Sequence, residues 1–184
     1  MRVLIACEFS GIVREAFRAR GHDAWSCDLE PTEQPGPHIQ GDILAILGEG
    51  WDLMIAHPPC TYLCNSGARW WRQRQMEQRH ALAFVQLLLA APIPRIALEN
   101  PEGCISTRLE KPEQCIHPWE YGHGEEKKTH LWLRGLPLLQ PTILADGRAQ
   151  RCWRMPASTT RSRERSRTYP GIAQAMAQQW GETP

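Results

Sequence analysis

The sequence predicts an α/β protein with a mostly parallel sheet flanked by helices, and three observations carry that prediction. Short apolar runs rich in β-branched residues recur at 2–7, 24–27, 52–56 and 95–98, each the length of a buried strand. Segments of helical period lie between them, so consecutive strands need crossovers, which favour parallel pairing. Three of the runs end in chemically unusual residues: Asp28, then His57-Pro58-Pro59-Cys60, then Glu99-Asn100-Pro101. In open α/β sheets the ligand sits beyond the carboxyl ends of the strands, so these residues are expected to converge on one crevice.

Arg2-Val3-Leu4-Ile5-Ala6-Cys7 reads as the first strand and Glu8-Phe9-Ser10-Gly11 as a turn. Ile12 to Arg20 places Ile12, Val13, Ala16, Phe17 and Ala19 at helical spacing, and Gly21 ends the helix. Ala24-Trp25-Ser26-Cys27 is a second strand that stops at Asp28. The prolines and glycines of 30–41 read as a loop, and Asp42 as the cap of a short helix through Leu47. A strand over 52–56 runs into Pro58-Pro59-Cys60, followed by a long polar, aromatic and basic loop over 61–75. Met76 to Leu89 is a helix, closed by Pro92 and Pro94. Arg95 to Leu98 and Thr129 to Leu133 are strands, 135–141 is turn-rich, and Pro170 to Trp180 is a last helix with proline near its start.

A chain of 184 residues suits one domain over its whole length, 1–184. No apolar run approaches the ~20 residues needed to span a membrane, and the N-terminus lacks a signal-peptide pattern, so a cytoplasmic protein is expected. The seven cysteines, an odd number, argue against a disulfide framework. The net charge of +1 hides an asymmetry. Residues 1–126 carry 11 Lys/Arg against 17 Asp/Glu, whereas 127–168 carry 10 against 2. A basic stretch behind an acidic body points to a phosphate-bearing partner, or to a solvated loop.

A strand, a Gly-containing turn, a helix and a second strand ending in an acid make a nucleotide-site arrangement, in which the acid binds ribose hydroxyls. The turn has the single glycine Gly11 with Glu8 ahead of it. An acid there repels a pyrophosphate but tolerates a nucleoside with a cationic tail. The alternative is that Gly11 only opens the helix and Asp28 only starts a turn. Pro58-Pro59-Cys60 places a thiol on a stiff loop at a strand end, where a lowered pKa would make it a nucleophile. A buried inert cysteine is the alternative. Glu99-Asn100 can read the edge of a heterocycle, and a carboxyl kept protonated in an apolar pocket can donate a proton. Zinc sets drawn from His57, Cys60 and Cys64, or from Cys104, Cys115 and His117, lack paired C-x2-C spacing, and no metal is expected.

Together these segments resemble the cytosine-C5 DNA methyltransferase family, in particular its short phage- and prophage-encoded members. The match rests on Pro58-Pro59-Cys60 and Glu99-Asn100, in that order on successive strand ends. Phe9-Ser10-Gly11 resembles the cofactor loop, Asp28 the ribose-binding acid, and Gly41-Asp42-Ile43 the segment that contacts adenine. Glu125 to Leu133 resembles the basic strand near the active site, with Lys127 at its first arginine, and Tyr169 to Trp180 the last motif. The resemblance implies a Rossmann-like S-adenosylmethionine-dependent methyltransferase with a minimal or absent target-recognition domain, the basic region 135–169 standing in its place. It implies S-adenosyl-L-methionine held by Glu8, Phe9, Ser10, Gly11, Asp28, Asp42, Ile43 and Pro58. It implies catalysis by Cys60, Glu99, Asn100 and Lys127, with Cys60 adding to cytosine C6. The implied partner is DNA, duplex or single-stranded, or a cytosine nucleotide, in a bacterial or phage-infected host cell. Arg69-Trp70 in the loop 61–75, and Arg161, Arg163 and Arg165, are expected to hold bases and phosphates. The chain departs from the pattern at Val13, where a second glycine is usual, at Pro101, and at Glu125, Lys127 and Thr129. Competing readings are an amino-methyltransferase, which follows its proline pair with an aromatic rather than Cys60, and a catalytically silent nucleic-acid-binding protein on the same fold.

Overall fold

Seven strands form one sheet in the order β3-β2-β1-β4-β5-β7-β6. They are β1 (Arg2–Ala6), β2 (Asp23–Asp28), β3 (His38–Gln40), β4 (Leu53–Ala56), β5 (Arg95–Pro101), β6 (Gln114–Ile116) and β7 (Thr129–Arg134). β1 to β5 pair in parallel, and β7 runs antiparallel to both β5 and β6. Among the described residues the helices are α1 (Ile12–Arg18), α2 (Gln75–Leu89), α3 (Ile105–Arg108), α4 (Arg161–Ser166) and α5 (Pro170–Gly181). The computed structural model describes residues 1–150, 155–156, 158 and 161–182.

The sheet is buried on both faces, which is why its strands are continuous apolar runs. Side chains alternate along each strand. Val3, Ile5, Leu53, Ile55, Leu131 and Leu133 therefore face α1 and α5, whose Val13, Phe17, Ile172, Met176 and Trp180 complete one core. Leu4, Ala6, Met54, Ala56, Ile96, Leu98 and Trp132 face the other way, onto Leu82, Val85 and Leu88 of α2. Trp180 is fully buried and donates its indole N–H to Pro137 O at 3.0 Å. Its truncation to alanine would cost about 3–5 kcal/mol.

Four elements were not expected from the sequence. β3 closes the segment read as a loop, pairing Ser26, Cys27 and Asp28 with His38, Ile39 and Gln40 at the sheet edge. It is three residues long between Pro37 and Gly41, too short for any periodicity to register. β6 is equally short, and α3 is a single turn. α4 lies in the Ser/Thr/Arg-rich stretch, where arginine and glutamate are adequate helix formers. The helix expected after Asp42 is a single 3-10 turn, Ile43–Ala45, with Asp42 Oδ1 accepting from Leu44 N at 3.0 Å. Among the described residues no helix is long and apolar enough to cross a membrane.

The strand order reverses direction between β1 and β4. The crevice of an open sheet lies at such a switch point, so the loops after β1 and β4, with those after β2 and β5 beside them, form its rim.

Candidate functional site

At the end of β1 the chain is strained. Cys7 holds φ 57, the one positive φ outside glycine among the described residues, at a cost of about 1–3 kcal/mol. Strain of this kind clusters at functional sites, and it turns the chain into the loop Glu8-Phe9-Ser10-Gly11. Gly11 sits at φ 74, and a Cβ there would lie 2.7 Å from the Arg14 Nη2 atom. Glu8, read as a cofactor contact, is buried instead, and its carboxylate receives Val13 N–H at 2.7 Å, Arg14 N–H at 3.2 Å and Ser10 Oγ–H at 3.1 Å. It neutralises the positive end of α1 and holds the loop closed on itself. Val13 points into the core, so the valine in place of glycine never meets the crevice.

Sequence reasoning missed Arg14. Its side chain is wholly buried and donates to Ser26 Oγ at 2.9 Å, Thr32 Oγ1 at 3.2 Å, and the carbonyls of Gln34 at 2.8 Å and Pro35 at 3.3 Å, with Glu15 at 2.8 Å. One cation thus ties α1 to β2 and to the segment that follows Asp28. Helical spacing alone marks residue 14 only as one turn before Arg18; nothing in the pattern identifies a buried arginine.

Asp28 is half-buried at the end of β2 and accepts Glu30 N–H at 2.9 Å. Leu29 beside it is 76% exposed, a large apolar side chain left bare at the crevice rim. Asp42 reaches the same place from the loop after β3. Burial, with the charges of Asp28 and Asp42, pushes the Cys27 thiol up to about 11 and Cys7 up to about 12. The rim is therefore acidic and takes a cation more readily than a phosphate. Ile43, expected to face adenine, is turned into the core, because the 3-10 turn presents Leu44 outward.

β4 and β5 bring the second pair of loops together. His57 and Glu99 lie one rung beyond the last paired residues, Ala56 and Leu98, and His57 Nδ1 is 3.0 Å from Glu99 Oε2. One rung further, Asn100 donates its amide to Pro58 O at 2.8 Å. Both Asn100 and Pro58 are buried, so they brace the two loops where contacts to substrate and cofactor were expected. The brace continues beyond Cys60. Cys104 N–H donates to Leu63 O at 2.8 Å and Asn65 N–H to Glu102 O at 3.0 Å. Gly103 lies so close that a Cβ would sit 2.0 Å from Leu63 O.

Cys60 stands half-buried on this braced loop, with Lys127 and Glu99 near enough to act on its charge. The sequence led to a thiol of lowered pKa; the structure gives the reverse. The hydrogen bond to Cys64 first, and burial next, raise Cys60. Cys64 is pulled down to about 5 by that hydrogen bond, against burial, and by the Ser66 hydroxyl at 2.9 Å and the N–H groups of Ser66 and Gly67. The pair thus holds its negative charge on Cys64 and its proton on Cys60. Glu99 also reverses expectation. Burial raises it, but the His57 hydrogen bond and the Lys127 charge outweigh burial and hold it below the usual carboxylate range. Among the described residues no group of three or more His, Cys, Asp or Glu side chains is placed to hold a metal.

The basic residues divide into two sets. Arg69 and Trp70 lie on the exposed 3-10 turn Asn65–Trp70, stacked at 5.0 Å, with Trp70 47% exposed. Among the described residues Arg69, Arg72 and Arg74 form no ion pair, so this turn presents free positive charge beside an aromatic face. Arg163, expected to meet phosphates, is already engaged: it pairs with Glu30 at 2.5 Å and Glu33 at 2.9 Å, and stacks on Phe9 at 4.4 Å. Arg167 joins Glu33 at 2.7 Å. α4 thereby lies across the Phe9 loop. Its Arg165 carbonyl accepts from Lys127 Nζ at 3.2 Å, and Arg161 opens the helix. Arg148 stacks on Trp119 at 3.8 Å. Arg151 and Arg154 lie outside the described residues.

No protein-family model matches the chain, and no curated protein matches it. Solved structures do. A DNA modification methyltransferase encoded within a prophage (E. coli) aligns with TM-score 0.50 and 11% identity, over 84% of this chain and 54% of that one. An rRNA methylase from Escherichia coli aligns with TM-score 0.43 and 16% identity, over 72% and 56%. A 16S rRNA methylase aligns with TM-score 0.42 and 18% identity, over 72% and 55%. The chain spans about half the length of these proteins. With its seven-stranded sheet, reversed β7 and flanking helices, the chain has the Rossmann-like α/β fold of methyltransferases.

Proposed function

We propose that this protein is a cytosine-C5 methyltransferase acting on DNA, with S-adenosyl-L-methionine as methyl donor and Cys60 as nucleophile. The observation that carries the reading is the bracing of the Cys60 and Glu99 loops on adjacent strands, with Lys127 acting on both groups. A thiol and a carboxylate held together at strand ends suit addition to one edge of a pyrimidine and recognition of another.

The donor fits the loops after β1, β2 and β3. Gly11 leaves no Cβ, Asp28 offers a carboxylate for ribose hydroxyls, Phe9 and the exposed Leu29 and Leu44 offer apolar walls, and the acidic rim suits a sulfonium. That donor supplies an electrophilic methyl group. The chain's own residues prepare the acceptor. As Cys60 Sγ bonds to cytosine C6, its proton passes to Cys64, whose thiolate is already hydrogen-bonded to it. Glu99 holds N3 and the exocyclic amine. Electron density displaced from the C5–C6 bond makes C5 nucleophilic. After methylation the C5 proton passes to water, its C–H electron pair re-forms the C5–C6 bond, and Cys60 leaves C6 as the thiolate and takes its proton back from Cys64. A base in a duplex must first be flipped out, at a cost of a few kcal/mol. The free cations and exposed indole of Arg69-Trp70 suit a displaced strand.

The test uses labelled donor with cytosine-rich DNA, 5-fluorocytosine oligonucleotides and free cytosine nucleotides in parallel. We expect a covalent adduct on the fluorocytosine DNA that disappears in C60A while donor binding persists. Turnover retained in C60A refutes Cys60 as nucleophile. Label in the nucleotide alone moves the same chemistry to a small substrate.

A further inference from the structure

We propose that Cys60 and Cys64 form an oxidisable dithiol: a hydroperoxide joins the two sulfurs as a disulfide, which blocks Cys60 and is undone by a thiol reductant. The inference rests on the proposed function only for its consequence, the loss of attack on cytosine. The disulfide itself needs neither donor nor DNA.

The turn between the two cysteines is set by the main chain. Cys64 N–H and Leu63 N–H both donate to Cys60 O at 3.0 Å. Residues one such turn apart stand about 6 Å apart, within the ~4.4–6.8 Å that a disulfide spans between Cα atoms. The side chains already meet, because a hydrogen bond joins the two sulfurs. From the other side the turn is held by Cys104 N–H on Leu63 O at 2.8 Å and by the close approach of Gly103. Cys60 is the half-buried partner and Cys64 the buried one. An oxidant entering the crevice therefore meets Cys60 first, with Cys64 in contact as the resolving thiol. The thiolate is the reactive form of cysteine, and this pair keeps one negative charge. It rests on Cys64, held by the Cys60 thiol, the Ser66 hydroxyl and the N–H groups of Ser66 and Gly67. Cys7, Cys27 and Cys104 are raised instead, in each case by burial first.

As Cys60 Sγ attacks one peroxide oxygen, its proton passes to Cys64. The O–O bond breaks, Cys60 becomes the sulfenic acid, and hydroxide leaves. That hydroxide takes the proton from Cys64 and becomes water. The Cys64 thiolate then attacks the Cys60 sulfur, the S–O bond breaks, and a second hydroxide leaves. Each sulfur is oxidised by one electron, and the peroxide takes both. The disulfide leaves no thiol to add to C6. It also spares Cys60 the oxidation past the sulfenic acid that a reductant does not reverse, and thiol–disulfide exchange with a dithiol restores both thiols.

In the test the reduced protein is treated with hydrogen peroxide, without donor or DNA, then alkylated and mapped by non-reducing mass spectrometry. We expect loss of two hydrogens with no gain of oxygen, a Cys60–Cys64 linkage, and return of both thiols with dithiothreitol. This should occur at peroxide levels that leave Cys115, exposed on β6, unmodified. In C64S the Cys60 sulfenic acid has no thiol to resolve it and should be captured by dimedone; C64A is the second variant if C64S is unstable. C104S should form the same linkage as wild type. Peroxide should remove wild-type adduct formation on 5-fluorocytosine DNA in proportion to the disulfide, and dithiothreitol should restore it. A Cys60–Cys64 disulfide in a protein that forms no adduct even when reduced supports the dithiol and overturns the proposed function alone. Cys60 and Cys64 still reduced once Cys115 is oxidised, a linkage to Cys104, or equal dimedone capture in wild type and C64S overturns the dithiol.

Discussion

Replacing Gly103 by alanine tests whether the bracing of the Cys60 loop matters. The new Cβ would lie 2.0 Å from Leu63 O, 2.8 Å from Leu63 C and 2.7 Å from Cys64 Cα, all main-chain atoms. A tolerable carbon–oxygen approach is about 3.3 Å, so the two loops must part by roughly 1.3 Å. No rotamer change relieves the clash, because both sides are backbone. Cys104 N–H and Asn65 N–H, which bond across this contact, would lengthen with it. Overpacking of this kind costs ~1–3 kcal/mol, and a 1 Å displacement of a reacting group costs about 100-fold in rate. We therefore expect G103A to lower the thermal midpoint by about 4–8 °C and to slow fluorocytosine adduct formation about 100-fold. Donor affinity, set by the loops after β1 and β2, should change little. The assays are calorimetry, equilibrium binding of the donor, and adduct formation followed in time. An adduct rate within twofold of wild type would refute the idea that the brace fixes Cys60.

Three further outcomes are expected. Arg14→Met should destabilise the protein by about 3–5 kcal/mol, because it strips the partners from Ser26, Thr32 and two carbonyls at a wholly buried site; the same variant should lose donor binding, and a denaturant titration with calorimetric binding reads both. Cys64→Ser should abolish a thiolate absorbance near 240 nm that titrates at about 5 in wild type. The Cys64 pKa is depressed from 9.0 in the folded state, so the stability it confers grows between those values and is lost as pH falls through about 5, and unfolding measured against pH should lose this dependence in the variant. Glu33→Gln releases Arg167 and leaves Arg163 to Glu30 alone, so affinity for DNA should rise and its logarithmic salt slope steepen by about one charge, with stability changed by less than ~1 kcal/mol because these groups are partly exposed.

The fold was legible because it rests on local pattern, and the same pattern singled out residues for a candidate site. Continuous apolar runs at 2–7, 52–56 and 95–98 marked buried parallel strands, observed as β1, β4 and β5, and the odd residues at the ends of such runs were expected to share one crevice. Cys60 and Glu99 were found this way, and so was Asp28. What escaped notice depends on partners distant in sequence. His57 was placed at the crevice and weighed only as a zinc ligand, without a partner of its own, since its contact with Glu99 spans 42 residues and exists only once β4 and β5 pair. Arg14 was not singled out and Glu8 was read as a cofactor contact, because burial of an ion needs a completed set of partners, which no helical period records. Arg163 was read as a phosphate contact, whereas Glu30 and Glu33 in the loop after β2 claim it, and Glu33 also holds the nearby Arg167. The protonation states of Cys60 and Glu99 were inverted for the same reason. Each follows from one neighbour, Cys64 and His57, that spacing alone did not single out as a partner.

The grip of Arg14 has a consequence for how this protein can vary over evolutionary time. It reaches the segment after Asp28 partly through the carbonyls of Gln34 and Pro35, which every amino acid supplies. The shape of that wall is thus partly uncoupled from the side chains that decorate it. Residue 34 is free to drift, and with it the outer chemistry of the rim, while residue 14 is held to arginine. Relatives that differ in what they admit to the crevice should therefore diverge around position 34 without any change of fold, their common frame maintained by one hidden guanidinium.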